Sequence, residues 1–462
     1  MAKLKALAKV TLLGLGLSGC LKSKEVLIAD KSASEGIACP PFTLGTSLEV
    51  CTATYLGGAG GDRLSASGFG SDGALLVGGV IPSAEPTGKV VQLLSGGPGV
   101  VVRLSGDGRH VLSTTHLGQS VNDLVVAPSG RIAVAGDFGV VLLDRKAESV
   151  VWHAPRANML RVAVGFAEDV AALDDTGGVH VFDQEGAVRG NFTLADPVVN
   201  DVAVGPSGDQ VFVVGGHPDP NGECPGSVPF LRSYSYGGAL QWKAYDFSAQ
   251  LGNCASSRGV RVVVGRNNKL YYAGEQQGGN SAHLRNPLDV NQEAILTSYD
   301  DYTAGYGKAI LDYSFIARFE PSTGLFEAGQ VVLPRNAQIG GSLLVGGLDV
   351  DAMGNIYVAG QSSCCISGRD GLSIAGAAVG AFQVPEISAL VIAPDFASRK
   401  LWTTFTGTSG SEMFAASITE ANGRVAMVAN QSNELGQALV FESLHPAPLG
   451  QSDGFVGVWS AQ

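Results

Sequence analysis

The chain has 462 residues, of which 45% are apolar and only 16% charged, with 64 glycines and a formal net charge of −12. That profile excludes a disordered or helix-dominated chain and points to many short strands and tight turns, the composition of an all-β protein. An acidic body is a poor partner for nucleic acid or anionic headgroups, and the length admits either two or three ordinary domains or one large repeat-built domain, a choice that internal periodicity decides.

In chain order, Lys3, Lys5 and Lys9 precede an apolar run from Val10 to Leu17. The run is too short to span a bilayer and reads as an export signal. It ends in Leu17-Ser18-Gly19-Cys20, which resembles the lipobox of bacterial lipoproteins. The resemblance implies that residues 1–19 form a lipoprotein signal peptide and that Cys20 is acylated to become the mature N-terminus. At about 0.8 kcal/mol per buried methylene, several acyl chains would anchor the protein nearly irreversibly. The other reading is an ordinary secretory signal with an incidental cysteine. Leu21 stands where, in the enterobacterial sorting rule, Asp directs retention in the inner membrane, so the resemblance implies lipid attachment at the outer membrane, on its periplasmic side or at the cell surface. No other stretch reaches eighteen consecutive apolar residues, so the remainder is expected to be soluble. Residues 20–47, with Pro40-Pro41 and no sustained periodicity, read as a lipidated tether, and residues 48–462 as the folded body.

Within that body a pattern recurs. "VNDLVVAPSGRIAVAG" starts at Val121, "LRVAVGFAEDVAALDD" at Leu160 and "VNDVAVGPSGDQVFVVGG" at Val199, a local period of about 39 residues. Further copies start at Arg63, Ser257, Val345 and Met413, which makes seven. Each copy is a short apolar strand, a turn such as Pro-Ser-Gly or Met-Gly-Asn, and a second strand that closes on Gly or Asn: a hairpin. A second strand pair follows most copies, as in "SALVIAPDFASRKLWTTF" from Ser388. Four antiparallel strands every 40 residues or so are the signature of a β-propeller blade. The last copy stops after its third strand, "DGFVGVWSAQ", whereas "SLEVCTATYL" (Ser47 to Leu56) precedes the first as an unassigned fourth strand. The two ends are expected to complete one blade and close seven units into a ring. Six or eight units are the alternatives, because residues 275–313 could conceal another unit, although they lack its turn motif.

The segment "DAMGNIYVAG" (Asp351 to Gly360) and the glycine-rich run after Leu56 are similar to the bacterial seven-bladed β-propeller repeat family, whose copies carry a Gly-Asn-x-Tyr-Val-x-Gly strand. The strong match covers one copy.

The extra residues, 80–98, 216–229, 275–313, 361–388 and 430–453, all fall between second and third strands. Those connections share one face of a propeller, and an elaborated face in a repeat fold is commonly the binding face. The largest insertion places Tyr299, Asp300, Asp301, Tyr302 and Tyr306 close together. Their rings could stack on a sugar and their carboxylates could attract a cation; a solvated loop with its tyrosines packed on the sheet edge is the plainer reading. Asp349, Asp351 and Asn355 lack the spacing of a calcium loop and are expected to support a turn.

Six cysteines beyond Cys20 in an exported chain suggest disulfides and allow fifteen pairings. The set preferred on proximity and loop position is Cys39 with Cys51, Cys224 with Cys254, and Cys364 with Cys365; free thiols at the last two, or one of them pairing elsewhere, are together an equal alternative, because adjacent Cα atoms lie below the usual disulfide span. No zinc spacing, HExxH, P-loop or GxSxG motif is present, and no catalytic residue, cofactor or metal is assigned. Seven histidines are scattered through different units. The sequence thus points to a lipid-anchored, monomeric binding or scaffolding propeller that takes a protein or glycan ligand on its long-loop face. The alternative is an exported propeller enzyme, a lyase or hydrolase, with a site at the axial channel. Replacing Cys20 with Ala should release the protein from membranes into the soluble fraction; continued dependence on detergent for extraction would argue against lipid attachment.

Overall fold

The computed structural model describes residues 39, 45–83, 88–156, 158–219, 226–247, 255–277, 281–297, 312–334, 341–382, 385–406, 413–432 and 438–461. Among them the fold is all-β and propeller-like: seven antiparallel sheets follow one another along the chain, six of four strands and one of five. The first strands of the sheets are Arg63–Phe69, Val121–Val126, Met159–Val164, Val198–Val204, Ser257–Val264, Leu343–Val350 and Met413–Ala421. In the first six sheets the strands pair in chain order as a meander, as successive hairpins require. The extra strand of the first sheet, Lys89–Gln92, comes from the insertion and pairs parallel with Val111–Gly118.

The seventh sheet departs from the meander. Its members are Met413–Ala421, Arg424–Ser432, Ser452–Ser460 and, outermost, Thr52–Leu56. Thr52 lies opposite Val458 and Leu56 opposite Gly454. The N-terminal strand is shorter than the expected Ser47 to Leu56, because Ser47–Leu48 crosses instead to the sixth sheet's insertion and pairs parallel with Ser373–Ile374. The free edge of Thr52–Leu56 is covered in turn: Ala53 and Phe441 exchange both backbone bonds at 2.9 Å, and the Tyr55 amide donates to the His445 carbonyl at 3.3 Å. Covering that edge removes a template for aggregation.

The apolar core is divided among the junctions between sheets. Leu75, Val77 and Val102 of the first sheet pack with Val428, Val456 and Val458 of the seventh; Leu76 and Val101 face Leu124 and Val134 of the second; and the series continues through each neighbouring pair to Tyr357 and Ile387 against Met427 and Trp459. Each fully buried Val or Leu contributes roughly 1.5–3 kcal/mol. Small residues set the spacing. A Cβ on Gly78 would lie 2.8 Å from both Leu124 and Val121, so the glycine lets the second sheet's leucine seat against the first.

The outer pairs that the sequence left weakest are present: Gly139–Leu143 with Val150–Ala154, and Gly178–Phe182 with Val188–Thr193. The insertions do lie between second and third strands, and the described part of 275–313 forms a small hairpin, Arg285–Asn286 with Asp289–Glu293. Deleting residues 48–56 strips Tyr55, Cys51 and Leu56 from two cores and exposes the edge of Ser452–Ser460; a sharp fall in melting temperature is expected by calorimetry, and an unchanged curve would show that the strand has no such role.

Candidate functional site

Each first strand carries a bulge at one register: the pairing slips at Ser65, Asn122, Leu160, Asn200, Val260, Gly346 and Ala416. A bulge turns an additional side chain out of the sheet. Around the second to fifth sheets the residue after the slip alternates in charge, Asp123, Arg161, Asp201, Arg261, and around the remaining three it is small, Gly347, Ser417 and Ala66. Strand residues at this level line a cavity of about 730 Å³ to which all seven first strands contribute.

The carboxylates there are occupied. Asp123 accepts from the amides of Leu124 at 2.9 Å and, across the junction, Val162 at 3.0 Å. Asp201 does the same with Val202 and Val262, both at 3.0 Å, and Asp349 with Val350 at 2.8 Å and Glu420 at 2.6 Å. Beside them, Asn122 Nδ2 donates to the Met159 carbonyl at 2.8 Å and Asn200 Nδ2 to the Gly259 carbonyl at 2.6 Å. The repeated Val-Asn-Asp triplet is thus a two-point clamp on the next sheet. The arginines clamp in the opposite sense, with Arg261 Nε donating to the Gly346 carbonyl at 2.8 Å and Arg161 Nε to the Asn200 carbonyl at 3.3 Å.

Burial pushes the Asp123 carboxyl up to about 6 against the attraction of Arg161, and pushes Asp349 up to about 6 against the Glu420 amide and Arg266. Asp201 is raised by the same cause. Burial, then the charge of Arg161, pulls Arg261 down to about 10. Desolvated carboxylates with perturbed acidity mark candidate active sites, but they also arise in structural networks, and here both oxygens of each already accept a backbone proton. The cavity rim is formed by Ser71, Pro128, Gly130, Phe166, Arg266 and Asn422, all in turns between first and second strands. That is the end of the sheets opposite the insertions.

No histidine lines the cavity. His116 bonds the Gly97 carbonyl, His153 the Phe138 carbonyl, and His180 pairs with Asp174 at 2.9 Å. His283, fully buried within the fifth sheet's insertion, meets the Tyr272 hydroxyl at 2.8 Å and is pulled down to about 3 by burial. Among the described residues no group of three or more His, Cys, Asp or Glu side chains could hold a metal ion. Asp351 takes amide bonds from Met353 and Asn355 at 2.9 and 2.8 Å, which is the turn-supporting role expected of it.

On the insertion end, some described loop residues are tied into the body. Arg369 and Glu386 form an ion pair with both side chains nearly inaccessible, and Arg369 also donates to the Gly380 carbonyl and to Asp370. Arg232 bridges Asp196 at 2.6 Å and Asp246 at 2.8 Å, and His217 approaches Asp246 at 3.0 Å. Burial works against the Asp246 charge, but the His217 and Arg232 bonds outweigh it and hold the carboxyl well below the ordinary range. Cys39 pairs with Cys51, Cα atoms 4.9 Å apart, and Cys364 with its neighbour Cys365. Cys20, Cys224, Cys254, Tyr299, Asp300, Asp301, Tyr302 and Tyr306 lie outside the described residues. No protein-family model and no curated protein matches the chain.

Because the folded-state pKa of Asp349 sits above the unfolded value near 4, the folded protein takes up that proton first. Its contribution to stability is therefore present below about pH 4 and is lost as pH rises through about 6. The melting temperature of the wild-type chain should fall more steeply over that window than that of Asp349→Asn; parallel curves would show that the carboxyl does not titrate there.

Proposed function

We propose that the chain is a seven-bladed β-propeller of the bacterial repeat type, closed by its own N-terminal strand, exported and anchored through lipid on Cys20 at the outer membrane, and that it acts as a monomeric binding or scaffolding module for a protein or glycan through its long-loop face. The seven consecutive sheets, the junction core between the seventh and first, and the Asn430 carboxamide that both accepts from the Leu64 amide at 2.6 Å and donates to its carbonyl at 2.7 Å support ring closure. The observation that carries the functional reading is the gathering of every long insertion at one end of the sheets, where buried contacts such as Arg369 with Glu386 hold loop segments in fixed positions. A preorganised loop surface loses little entropy on binding, and binding loops set on a rigid scaffold are a general use of such folds.

A second reading is supported by the desolvated Asp123 and Asp349 on a cavity of ligand size: an exported lyase or hydrolase acting at the axis. The two readings separate by mutation. With the soluble form beginning after Ser23 as bait against glycan arrays and surface extracts, replacing residues 298–311 by a short Gly-Ser linker should abolish capture, whereas Asp349→Asn should leave it intact. Capture unaffected by the loop replacement would remove the support for the loop-face reading.

A further inference from the structure

Asp62 and Asp453 meet at the junction of the two ends of the body. Asp62 ends the glycine-rich run from Gly57 to Gly61, and Asp453 lies near the start of Ser452–Ser460. The two segments are clamped by backbone: the Asp62 amide donates to the Ser452 carbonyl at 2.9 Å and the Gln451 amide to the Gly60 carbonyl at 3.1 Å. Ser452 Oγ adds a bond to the Asp62 carbonyl at 3.1 Å. Both carboxylates are out of solvent, with Asp62 2% exposed and Asp453 1%. Each has one backbone donor, Gly58 to Asp62 Oδ2 at 2.6 Å and Gly450 to Asp453 Oδ2 at 3.0 Å. The other oxygen of each, Oδ1, is buried without a hydrogen-bond partner.

The two groups meet beside Gly57, where a side chain would collide with both. A Cβ on Gly57 would lie 2.6 Å from Asp453 Oδ1 and closer still to Asp62 Oδ2. Among the described residues, neither carboxylate forms an ion pair with arginine, lysine or histidine. Burial and then the Asp453 charge push the Asp62 carboxyl up to about 6, and the Gly58 amide is what opposes them. Two buried like charges with orphaned oxygens are costly unless something positive lies between them.

We propose that this junction is a cation site, in which Asp62 and Asp453 hold a calcium ion that joins the start of the first sheet to the seventh. A shared proton would give two facing oxygens a hydrogen bond but would answer only one of the two charges. A divalent cation answers both charges and offers both oxygens a ligand bond. Carboxylate oxygens are among the donors that calcium prefers. Calcium also accepts irregular oxygen geometry, whereas magnesium requires a near-ideal octahedron and gives up water reluctantly, which a site this buried would demand. The ion would act as a latch between segments from opposite ends of the body.

The test uses the full chain in detergent, stripped with EGTA and titrated with calcium chloride by calorimetry. One site per chain is expected, with a rise in melting temperature of about 3 °C at saturating calcium, and Asp453→Asn should lose both. A melting curve of the wild-type chain that is indifferent to calcium, or calcium binding undiminished in Asp453→Asn, overturns the proposal. If that variant does not fold, Asp62→Asn is substituted for it. If neither folds, anomalous diffraction from crystals grown with calcium decides: a peak between the two carboxylates supports the site, and none there overturns it.

Discussion

The inner edge of each sheet carries backbone amides and carbonyls that the sheet itself cannot satisfy, and the structure is organised around answering them from the neighbouring sheet. Unpaired buried backbone groups cost on the order of 1–3 kcal/mol each, so a first strand cannot simply be set beside the next. At every junction a side chain reaches over: Ser65 to the Val121 carbonyl, Asp123 to the Val162 amide, Arg161 to Asn200, Asp201 to Val262, Arg261 to Gly346, Asp349 to Glu420, and Asn430 back to Leu64. The bulge in each first strand is what frees a side chain for most of these bonds. Hydrogen bonds of this kind with a charged partner are worth roughly 1.5–3 kcal/mol, comparable to one buried leucine, and they fix register where apolar packing alone would tolerate slippage.

The same requirement changes what the charged cavity means. A collar of alternating Asp and Arg, with Asp349 beside it, around a volume of about 730 Å³ has the composition of an active site, yet each of the three aspartates spends both oxygens on backbone amides. A carboxylate so engaged can serve as a general base only by releasing a clamp between sheets. At the loop end the charged groups Arg369, Glu386, Arg232 and Asp246 are tied into local networks that brace loop segments. Asp62 and Asp453 form the exception to full engagement, with one oxygen each left over at the place where the two ends of the body meet.

Much of the architecture is legible in the residues. Alternating small and β-branched residues around Pro-Ser-Gly or Met-Gly-Asn turns report hairpins because both signals act within a few positions of the chain. The outer pairs of the second and third sheets were less visible. Val188–Thr193 is mostly exposed, and an edge strand that buries little is under little pressure to be apolar. The Val-Asn-Asp triplet stands out as a repeat at Val121 and Val199, but its purpose depends on the first strand of the next sheet, which Asp123 meets 39 residues onward and Asp201 61 residues onward. Arg161 and Arg261 gave no comparable signal, since their alternation with Asp123 and Asp201 exists only once the sheets stand side by side.

By itself the sequence determined the all-β class, the hairpin unit, its turns and the place of the insertions, because these follow from periodicities and turn chemistry that a residue shares with its near neighbours. Tertiary structure decided which groups meet: Leu64 with Asn430, 366 positions apart, Asp62 with Asp453, and Ser47–Leu48 with the sixth sheet's insertion rather than the seventh sheet. Those pairings depend on complementary surfaces assembled from separate stretches of chain, and no local pattern carries that information.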